Sequence, residues 1–301
     1  MGPTGVVPAI SAIIKGLTAP GQGVIVTTPV YNCFFSSIRN NKCRIVESPM
    51  LLRDNRYELD FEAIEHLAAD PLNTIFLLCN PHNPGGRVWT PVELRRLAEI
   101  CRRNGVTVIS DEIHCELTFA PAKYTPFALI AEETHTPYIS CVAPSKAFNT
   151  AGLQIANIVT PDSEFRRLID RAINDNEVCD VNPFGVVGLM AAYDEGAEWL
   201  EQLLDYLHAN IELTARKFSE RAPRFPFMVP EASYLGWVDC RSSGLDSNAL
   251  ANRILSQGKV RVSPGSDYGS AGDRFIRLNL AAPRAVICEG VDRILDVLTS
   301  L

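Results

Sequence analysis

Lys146 lies in APSKAFN, a short polar segment that directly follows the apolar stretch YISCV. A lysine at such a point is either an ordinary surface charge or a nucleophilic amine at the mouth of a cleft. Amines of the second kind form Schiff bases with carbonyl groups. Because most lysines are solvated, Lys146 taken alone favours the surface interpretation. The choice therefore depends on which other groups stand at comparable points of the chain.

Three other apolar stretches end in the same way. Tyr31 follows GVIVTT, Asn83 follows TIFLLC, and Asp111 with His114 follows VTVIS. Each residue has a simple alternative: Asn83 could build a turn, Asp111 could cap the next segment, and Tyr31 and His114 could be packed in a core. Their recurrence at four strand ends is what a binding site would explain.

The apolar stretches alternate with helical patterns. The patterns predict helices over VVPAISAIIKGL, VYNCFFSSIRNN, DFEAIEHLAA and TPVELRRLAEICRRNG, and strands over GVIVTTP, KCRIVESPM, NTIFLLCNP, VTVISDE and TPYISCVAPS. Apolar strands separated by helices indicate an α/β fold with a mostly parallel sheet covered on both faces. Ligands bind beyond the carboxyl ends of such strands, so Tyr31, Asn83, Asp111 and Lys146 should meet at one edge.

The pattern changes after about residue 183. Helical periodicity dominates residues 183–222, and two strands, ASYLGWVDC and DRFIRLNLA, flank a helix at 246–257. We therefore expect a large domain over residues 1–205 and a smaller α+β C-terminal domain over residues 206–301, with a long helix at their boundary.

Composition excludes several classes of protein. The 301 residues are 47% apolar and carry a net charge of −7 without a basic run, which argues against a nucleic-acid partner. Nine scattered cysteines without a CxxC pair argue against a disulfide framework or a metal site and favour a reducing cytoplasm. No apolar stretch approaches the roughly 20 residues of a membrane span.

A cofactor with an aldehyde, a pyridine nitrogen, a phenolic oxygen and a phosphate would use these residue types. Lysine forms a Schiff base with the aldehyde, and aspartate keeps the ring nitrogen protonated. Asparagine holds the phenolic oxygen, and an aromatic side chain covers the ring. A phosphate needs backbone amides at a helix start, and GPTGVVPAIS offers those of Gly5, Val6 and Val7.

Together, the stretches NPHNPGGRVWT, SDEIH, APSKAFN and PVY resemble the signatures of fold-type I pyridoxal 5′-phosphate (PLP) enzymes of the class I/II aminotransferase superfamily. CNPHNPGGRVW, DEIH and SKAFNTAGL are most similar to its MalY/PatB-type cystathionine β-lyase (C–S lyase) branch. The resemblance implies an aspartate aminotransferase-like large domain with a seven-stranded type of sheet, PLP as cofactor, an amino acid as substrate, and a homodimer.

The resemblance also implies a role for each residue at the strand ends. Lys146 would hold the cofactor as a Schiff base and act in catalysis, and Asp111 would pair with the pyridine nitrogen. Asn83 would bind the phenolic oxygen, and Tyr31 would stack on the ring.

Further residues complete the site that the resemblance implies. His114 would belong to the cofactor-binding set, and Ser145 with the amides of Val6 and Val7 would lie near the phosphate. Arg277, in FIRLN, would bind the α-carboxylate of the substrate, because its planar guanidinium matches both oxygens. We expect Arg284, in APR, to be a surface residue.

Two positions separate the branches of the superfamily. Typical transaminases have tyrosine three residues after the aspartate, where this chain has His114, and arginine eight residues after the lysine, where it has Gln154. The lyase branch shares both changes. We therefore expect β-elimination from sulfur amino acids, with cystathionine giving homocysteine, pyruvate and ammonia. Amino-group transfer is the alternative.

The start of the chain also bears on activity. The first residues lie almost at the phosphate-binding segment, whereas the family has a preceding N-terminal arm. We expect this arm to be missing, and a third alternative is a PLP-binding protein with little activity.

Overall fold

The computed structural model describes residues 3–175, 177 and 180–301. The α-helices are α1 (Val6–Leu17), α2 (Cys33–Asn40), α3 (Phe61–Ala68), α4 (Pro91–Arg103), α5 (Phe127–Thr134), α6 (Ser163–Asn174), α7 (Pro183–Glu195), α8 (Ala197–Arg221), α9 (Ser247–Arg253) and α10 (Arg284–Thr299). The strands are β1 (Gly23–Thr28), β2 (Arg44–Pro49), β3 (Leu51–Arg53), β4 (Arg56–Glu58), β5 (Asn73–Cys79), β6 (Thr107–Asp111), β7 (Tyr138–Val142), β8 (Asn157–Val159), β9 (Phe227–Met228), β10 (Leu235–Asp239), β11 (Ser263–Pro264) and β12 (Phe275–Asn279).

The central sheet has the strand order β2-β1-β5-β6-β7-β8. Its pairs are parallel except for β7 with β8, which confirms the predicted α/β class and mostly parallel sheet. The sheet has six strands where we expected seven. Beside the free edge of β8, Ala156 N donates to Pro3 O (3.0 Å). No strand is assigned to residues 3–5, since this single bond does not make a ladder.

Helices cover both faces of this sheet. Successive side chains of a strand point to opposite faces, so Val24 and Val26 of β1 pack with α1 and α2, while Ile25 packs with α3 and α4. Every residue of β1 is buried, as expected for a strand covered on both sides.

The strand order reverses at β1. The chain extends the sheet from β1 to β2 in one direction and from β5 through β6 to β7 in the other. The loops that leave β1 and β5 therefore diverge, and a crevice opens at their carboxyl ends.

A second sheet, β11-β12-β10-β9, is antiparallel and packs with α8, α9 and α10 in a separate core. Residue 205, where we expected the domain boundary, lies inside the 25-residue helix α8. The division into domains at residues 205 and 206 stays a prediction.

None of the described helices is long and apolar enough to cross a membrane.

Local signals set the start of α4 next to the crevice. Thr90 Oγ1 accepts from Glu93 N (3.2 Å) and Glu93 Oε2 accepts from Thr90 N (2.8 Å), which together form a capping box. Pro91 occupies the first turn, where its missing N–H is harmless. The cap fixes the end of the loop that begins at Asn83.

Candidate active site

A cavity of about 340 Å³ opens at the carboxyl ends of β1, β5, β6 and β7. The structure brings together there all the residues predicted for the site, namely Val6, Val7, Tyr31, Asn83, Asp111, His114, Ser145, Lys146 and Arg277, together with Gly5. The central sheet and α1 supply one side of the cavity, and the second sheet supplies the other.

Asp111 is the last residue of β6 and is 3% exposed. Burial raises the pKa of this carboxyl group to about 7. The hydrogen bond from Ile113 N (3.2 Å) and the positive charge of Lys146 oppose this rise in pKa. A cationic partner in the cavity would favour the charged carboxylate. Asp111 is therefore suited to a protonated ring nitrogen.

His114 follows Asp111 by three positions in the sequence and is also buried. Burial, and then the charges of Lys146 and Arg277, lower the pKa of His114 to about 3. Its Nδ1 atom has no hydrogen-bond partner among the described residues, and its ring meets the ring of Tyr234 edge-on at 6.1 Å between centroids. His114 is a neutral imidazole with an unsatisfied atom, as a bound group would explain.

Arg277 and Asn83 meet across the cavity. Nη1 of Arg277 donates to Oδ1 of Asn83 (3.2 Å), and the guanidinium lies 4.8 Å from the ring centroid of Tyr268. Asn83 is held in turn by a bond from its backbone N to Cys79 Sγ (3.3 Å). A guanidinium has five N–H donors, so Arg277 retains donors for a planar carboxylate.

The start of α1 could hold an anion. No side chain of the described residues caps this helix, and Gly5, Val6 and Val7 line the cavity at its first turn. Free amides and the positive end of the helix dipole attract a phosphate. Ser145 lines the same cavity and adds a hydroxyl group.

Several lining residues carried no signal in the sequence. Leu235 and Asn279 lie in the second sheet and Tyr234 directly precedes its strand β10, and the approach of this sheet to the first depends on packing. The other unpredicted lining residues are Thr4, Pro8, Cys79, Ile113, Ala151 and Ile155, and Gln154 lines the cavity as well. Arg284 is exposed and is not part of the lining. Among the described residues, no group of three His, Cys, Asp or Glu could hold a metal ion.

Comparisons with known proteins agree with this geometry. The model of the family "Aminotransferase class I and II" matches residues 2–294. "Cystathionine beta-lyase PatB" of Bacillus subtilis (strain 168) is 40% identical over 290 residues, which cover 96% of this chain and 75% of that protein. "Protein MalY" of Escherichia coli (strain K12) is 31% identical over 297 residues, which cover 98% of this chain and 75% of that protein.

Solved structures show the same likeness. Cystalysin from Treponema denticola, whose crystal structure contains PLP, has a TM-score of 0.97 and 32% identity over 100% of this chain and 76% of that chain. The PLP-bound C–S lyase from Staphylococcus hominis has a TM-score of 0.92 and 30% identity over 99% of this chain and 77% of its own.

The residues of the cavity fit PLP. The uncapped start of α1 suits the phosphate, buried Asp111 suits the ring nitrogen, and the unsatisfied His114 Nδ1 suits a polar ligand. PLP is the cofactor of this chain, as it is in the similar structures. Its fold and sequence show that the chain is a PLP-dependent enzyme and belongs to the class I and II aminotransferase family.

Proposed function

We propose that this chain is a C–S β-lyase. It would cleave the bond between Cβ and sulfur in amino acids such as L-cystathionine, and release homocysteine, pyruvate and ammonia. The observation that carries the proposal is the 40% identity to a protein named cystathionine β-lyase over 96% of the chain. Gln154 and His114, which replace the arginine and tyrosine of typical transaminases, support the same branch.

The proposal assigns the cofactor to the residues that line the cavity. Asp111 holds the ring nitrogen, Asn83 the phenolic oxygen, and Tyr31 covers the ring. Ser145 and the first amides of α1 hold the phosphate. When bound, PLP would supply an electron sink for the pair that remains on Cα when Cα loses its proton.

Arg277 and Lys146 act on the substrate. Arg277 binds both oxygens of the α-carboxylate, which fixes the orientation of the bond between Cα and its hydrogen. Lys146, which would hold PLP before the substrate binds, accepts the Cα proton at Nζ. The bond from Cβ to sulfur then breaks, sulfur leaves as a thiolate, and the remaining fragment hydrolyses to pyruvate and ammonia.

An aminotransferase is the second candidate. It is favoured by the family model and by the likeness to a PLP-bound putative aminotransferase from Clostridium difficile 630, with a TM-score of 0.95 and 38% identity. Both reactions begin when Lys146 removes the proton from Cα, so Lys146, Asp111 and Arg277 serve either one. The two reactions differ in their products, since only the lyase releases a thiol and pyruvate.

A homodimer is part of the proposal. Helix α7 buries only Gly185 among its residues, while Phe184, Val187 and Met190 are 75%, 65% and 55% exposed. Exposed apolar surface of this kind marks a site of association. The helix lies against Leu153, in the loop that follows Lys146, so a second copy docked there would border the cavity.

A reducing compartment such as the cytoplasm is also proposed. Each of the eight described cysteines is a free thiol. Cys179 lies outside the described residues. Unpaired buried thiols are typical of proteins that remain in a reducing environment.

Product analysis tests the reaction. Purified protein loaded with PLP is incubated with L-cystathionine, and pyruvate and free thiol are measured against the Lys146→Ala variant. We expect equal amounts of both products, formed by the wild-type protein alone. Pyruvate at the level of the variant would refute the lyase. Transfer of the amino group to a 2-oxo acid without release of thiol would identify an aminotransferase.

A further inference from the structure

Arg87, in the stretch NPGGRVW, lies outside the cavity but is almost fully buried. It is 2% exposed, and its guanidinium stacks on Trp89 at 4.7 Å from the ring centroid. Nε donates to Glu231 Oε2 (3.2 Å), and Nη2 donates to Glu93 Oε1 (3.1 Å). A buried guanidinium with two carboxylate partners is costly to assemble, so its location calls for an explanation.

The carboxylate of Glu231 accepts hydrogen bonds from several donors. Besides Arg87, it accepts from Val88 N (2.7 Å) and from Arg56 Nη2 (2.8 Å). Burial alone would raise the pKa of Glu231, but these three donors hold it below its usual value. Glu231 is therefore charged at neutral pH, and it joins the loop at residues 86–88 to the strand β4.

The backbone makes the same connection. Glu231 N and Ala232 N both donate to Gly86 O, at 2.8 and 3.2 Å. Gly86 has a φ of +66°, and a Cβ atom built on it would lie 2.6 Å from Pro230 Cβ. Residues 230–232 thus lie directly on the loop at residues 86–88.

Both ends of this contact reach the cavity. The loop begins at Asn83, and the segment after residue 232 continues into β10, whose Trp237 pairs with Arg277 on β12. Nη1 of Arg277 donates a hydrogen bond to Oδ1 of Asn83 (3.2 Å). These contacts form a closed circuit. The loop that begins at Asn83 contacts Glu231, the chain then runs from Glu231 into β10, β10 pairs with β12, and Arg277 on β12 contacts Asn83.

We propose that Glu231, paired with Arg87, is a positioning residue that holds Arg277 against Asn83 for binding of the substrate α-carboxylate. Arg277 lies on β12 of the second sheet and Asn83 lies in the loop that follows β5 of the central sheet, and one hydrogen bond joins them directly. The ion pair of buried Arg87 with partly buried Glu231, together with the backbone bonds to Gly86, connects the loop that holds Asn83 to the segment that leads into β10. Small misplacements of a binding group are costly, so this connection sets the affinity for the carboxylate. The inference rests on the proposed role of Arg277.

Glycine is the probe, because it offers an amino group and an α-carboxylate without a side chain. Its dissociation constant for the PLP-loaded protein is titrated through the visible absorbance of the cofactor. Glu231→Gln removes the charge and keeps the size of the side chain. We expect glycine to bind about tenfold more weakly, within the range of coupled neighbours, while PLP is retained as in the wild type.

Arg56→Ala is the matched control. Arg56 is 46% exposed and binds the same carboxylate, so the variant breaks an ion pair of Glu231 without touching Arg87. Exposed pairs contribute little, and we expect glycine affinity within about twofold of the wild type. A tenfold loss in this control equal to that of Glu231→Gln would overturn the specific role of the buried pair.

A double-mutant cycle with Arg277→Lys separates positioning from general stability. If Glu231 acts through Arg277, then Glu231→Gln weakens glycine binding by less than about twofold in the Arg277→Lys background. A tenfold additive loss in that background would overturn the proposal. Should Glu231→Gln fail to fold, Glu231→Asp keeps the charge on a shorter side chain, and its smaller loss must vanish in the same background.

The cycle also distinguishes this inference from the proposed function. Glycine binding requires no cleavage of a carbon–sulfur bond. A non-additive cycle in a protein that releases no pyruvate from L-cystathionine would refute the lyase and support the role of Glu231. An additive cycle in a protein that does release pyruvate would refute the role of Glu231 alone.

Discussion

Arg277 donates a hydrogen bond of 3.2 Å to the side-chain oxygen of Asn83, and this bond joins the second sheet to the loop that follows β5 of the central sheet. Arg277 lies on β12, while Asn83 follows β5. The group proposed to bind the substrate is therefore fixed against a group proposed to bind the cofactor. Their separation depends on how the two sheets pack, because neither strand alone determines it.

Removal of the Lys146 amine should abolish covalent attachment of PLP. After treatment with borohydride, mass spectrometry should find the cofactor fixed to the wild-type chain but not to Lys146→Ala. Pyruvate release from L-cystathionine should fall by about 10³-fold, since the general base is lost. The exposed Lys123→Ala is the control and should behave as the wild type. Cofactor fixed to the chain of Lys146→Ala would contradict the assignment.

The raised pKa of Asp111 should make the stability of the cofactor-free protein depend on pH. The folded protein holds this proton up to about pH 7, whereas the unfolded chain releases it near its ordinary value of 3.8. Between these values the folded state binds more protons, so stability contributed by Asp111 falls as pH rises, by about 1.4 kcal/mol per pH unit.

Urea denaturation of the wild type and of Asp111→Asn, both freed of PLP, measures this effect. The free energy of unfolding of the wild type relative to the variant should fall from pH 5 to pH 7 by about 2–3 kcal/mol. His114, whose lowered pKa has the opposite effect below pH 6.5, is present in both proteins and cancels in the difference. A difference that is constant with pH would contradict a buried, neutral Asp111.

Charges on α7 should separate the proposed dimer. Val187→Glu combined with Met190→Glu places two carboxylates on the exposed apolar face of the helix. Analytical ultracentrifugation should find a dimer for the wild type and a monomer for the variant, since burying unpaired charges is unfavourable. Val92→Glu, at a 72% exposed residue of α4, is the control and should remain dimeric. A dimeric α7 variant would place the interface elsewhere.

A side chain at Gly86 should destabilise the fold. Gly86→Ala combines a left-handed backbone (φ +66°) with a Cβ atom 2.6 Å from Pro230, and we expect a loss of about 3 kcal/mol. Gly244→Ala is the control, because Gly244 has a φ of +73° and nothing within 4 Å of its Cβ position. That variant should lose about 1 kcal/mol in the same urea titration, the cost of the left-handed backbone alone. If both variants lost the same free energy of unfolding, the contact of the new Cβ atom with Pro230 would contribute nothing, which would contradict the prediction.

Local patterns predicted most helices and strands of the central sheet. The helix predicted over VVPAISAIIKGL is α1 (Val6–Leu17), and the helix predicted over TPVELRRLAEICRRNG is α4 (Pro91–Arg103). These succeed because periodicity and capping depend on neighbours in the chain. The strands β3, β4, β8, β9 and β11 and the helices α5, α6 and α10 were not predicted. The strands among them have only two or three residues, too few for an alternating pattern, and owe their structure to the surfaces on which they pack. The helices α6 and α10 do bury residues at helical spacing, so the sequence held a signal for them that was missed.

The sequence alone determined which residue types stand at the ends of β1, β5, β6 and β7, because strand periodicity and turn chemistry are local. It thereby predicted Tyr31, Asn83, Asp111 and Lys146 as neighbours, and the structure places all four around one cavity. Their individual roles in catalysis stay predictions that the variants above test.

Only the tertiary structure decided how the second sheet completes the cavity. Arg277 reaches Asn83 across 194 residues of sequence, and Glu231 reaches Arg87 across 144. Burial, which raises the pKa of Asp111 and lowers that of His114, likewise depends on every element packed around them. Contacts and desolvation of this kind arise from the packing of distant segments, so no local pattern in the chain encodes them.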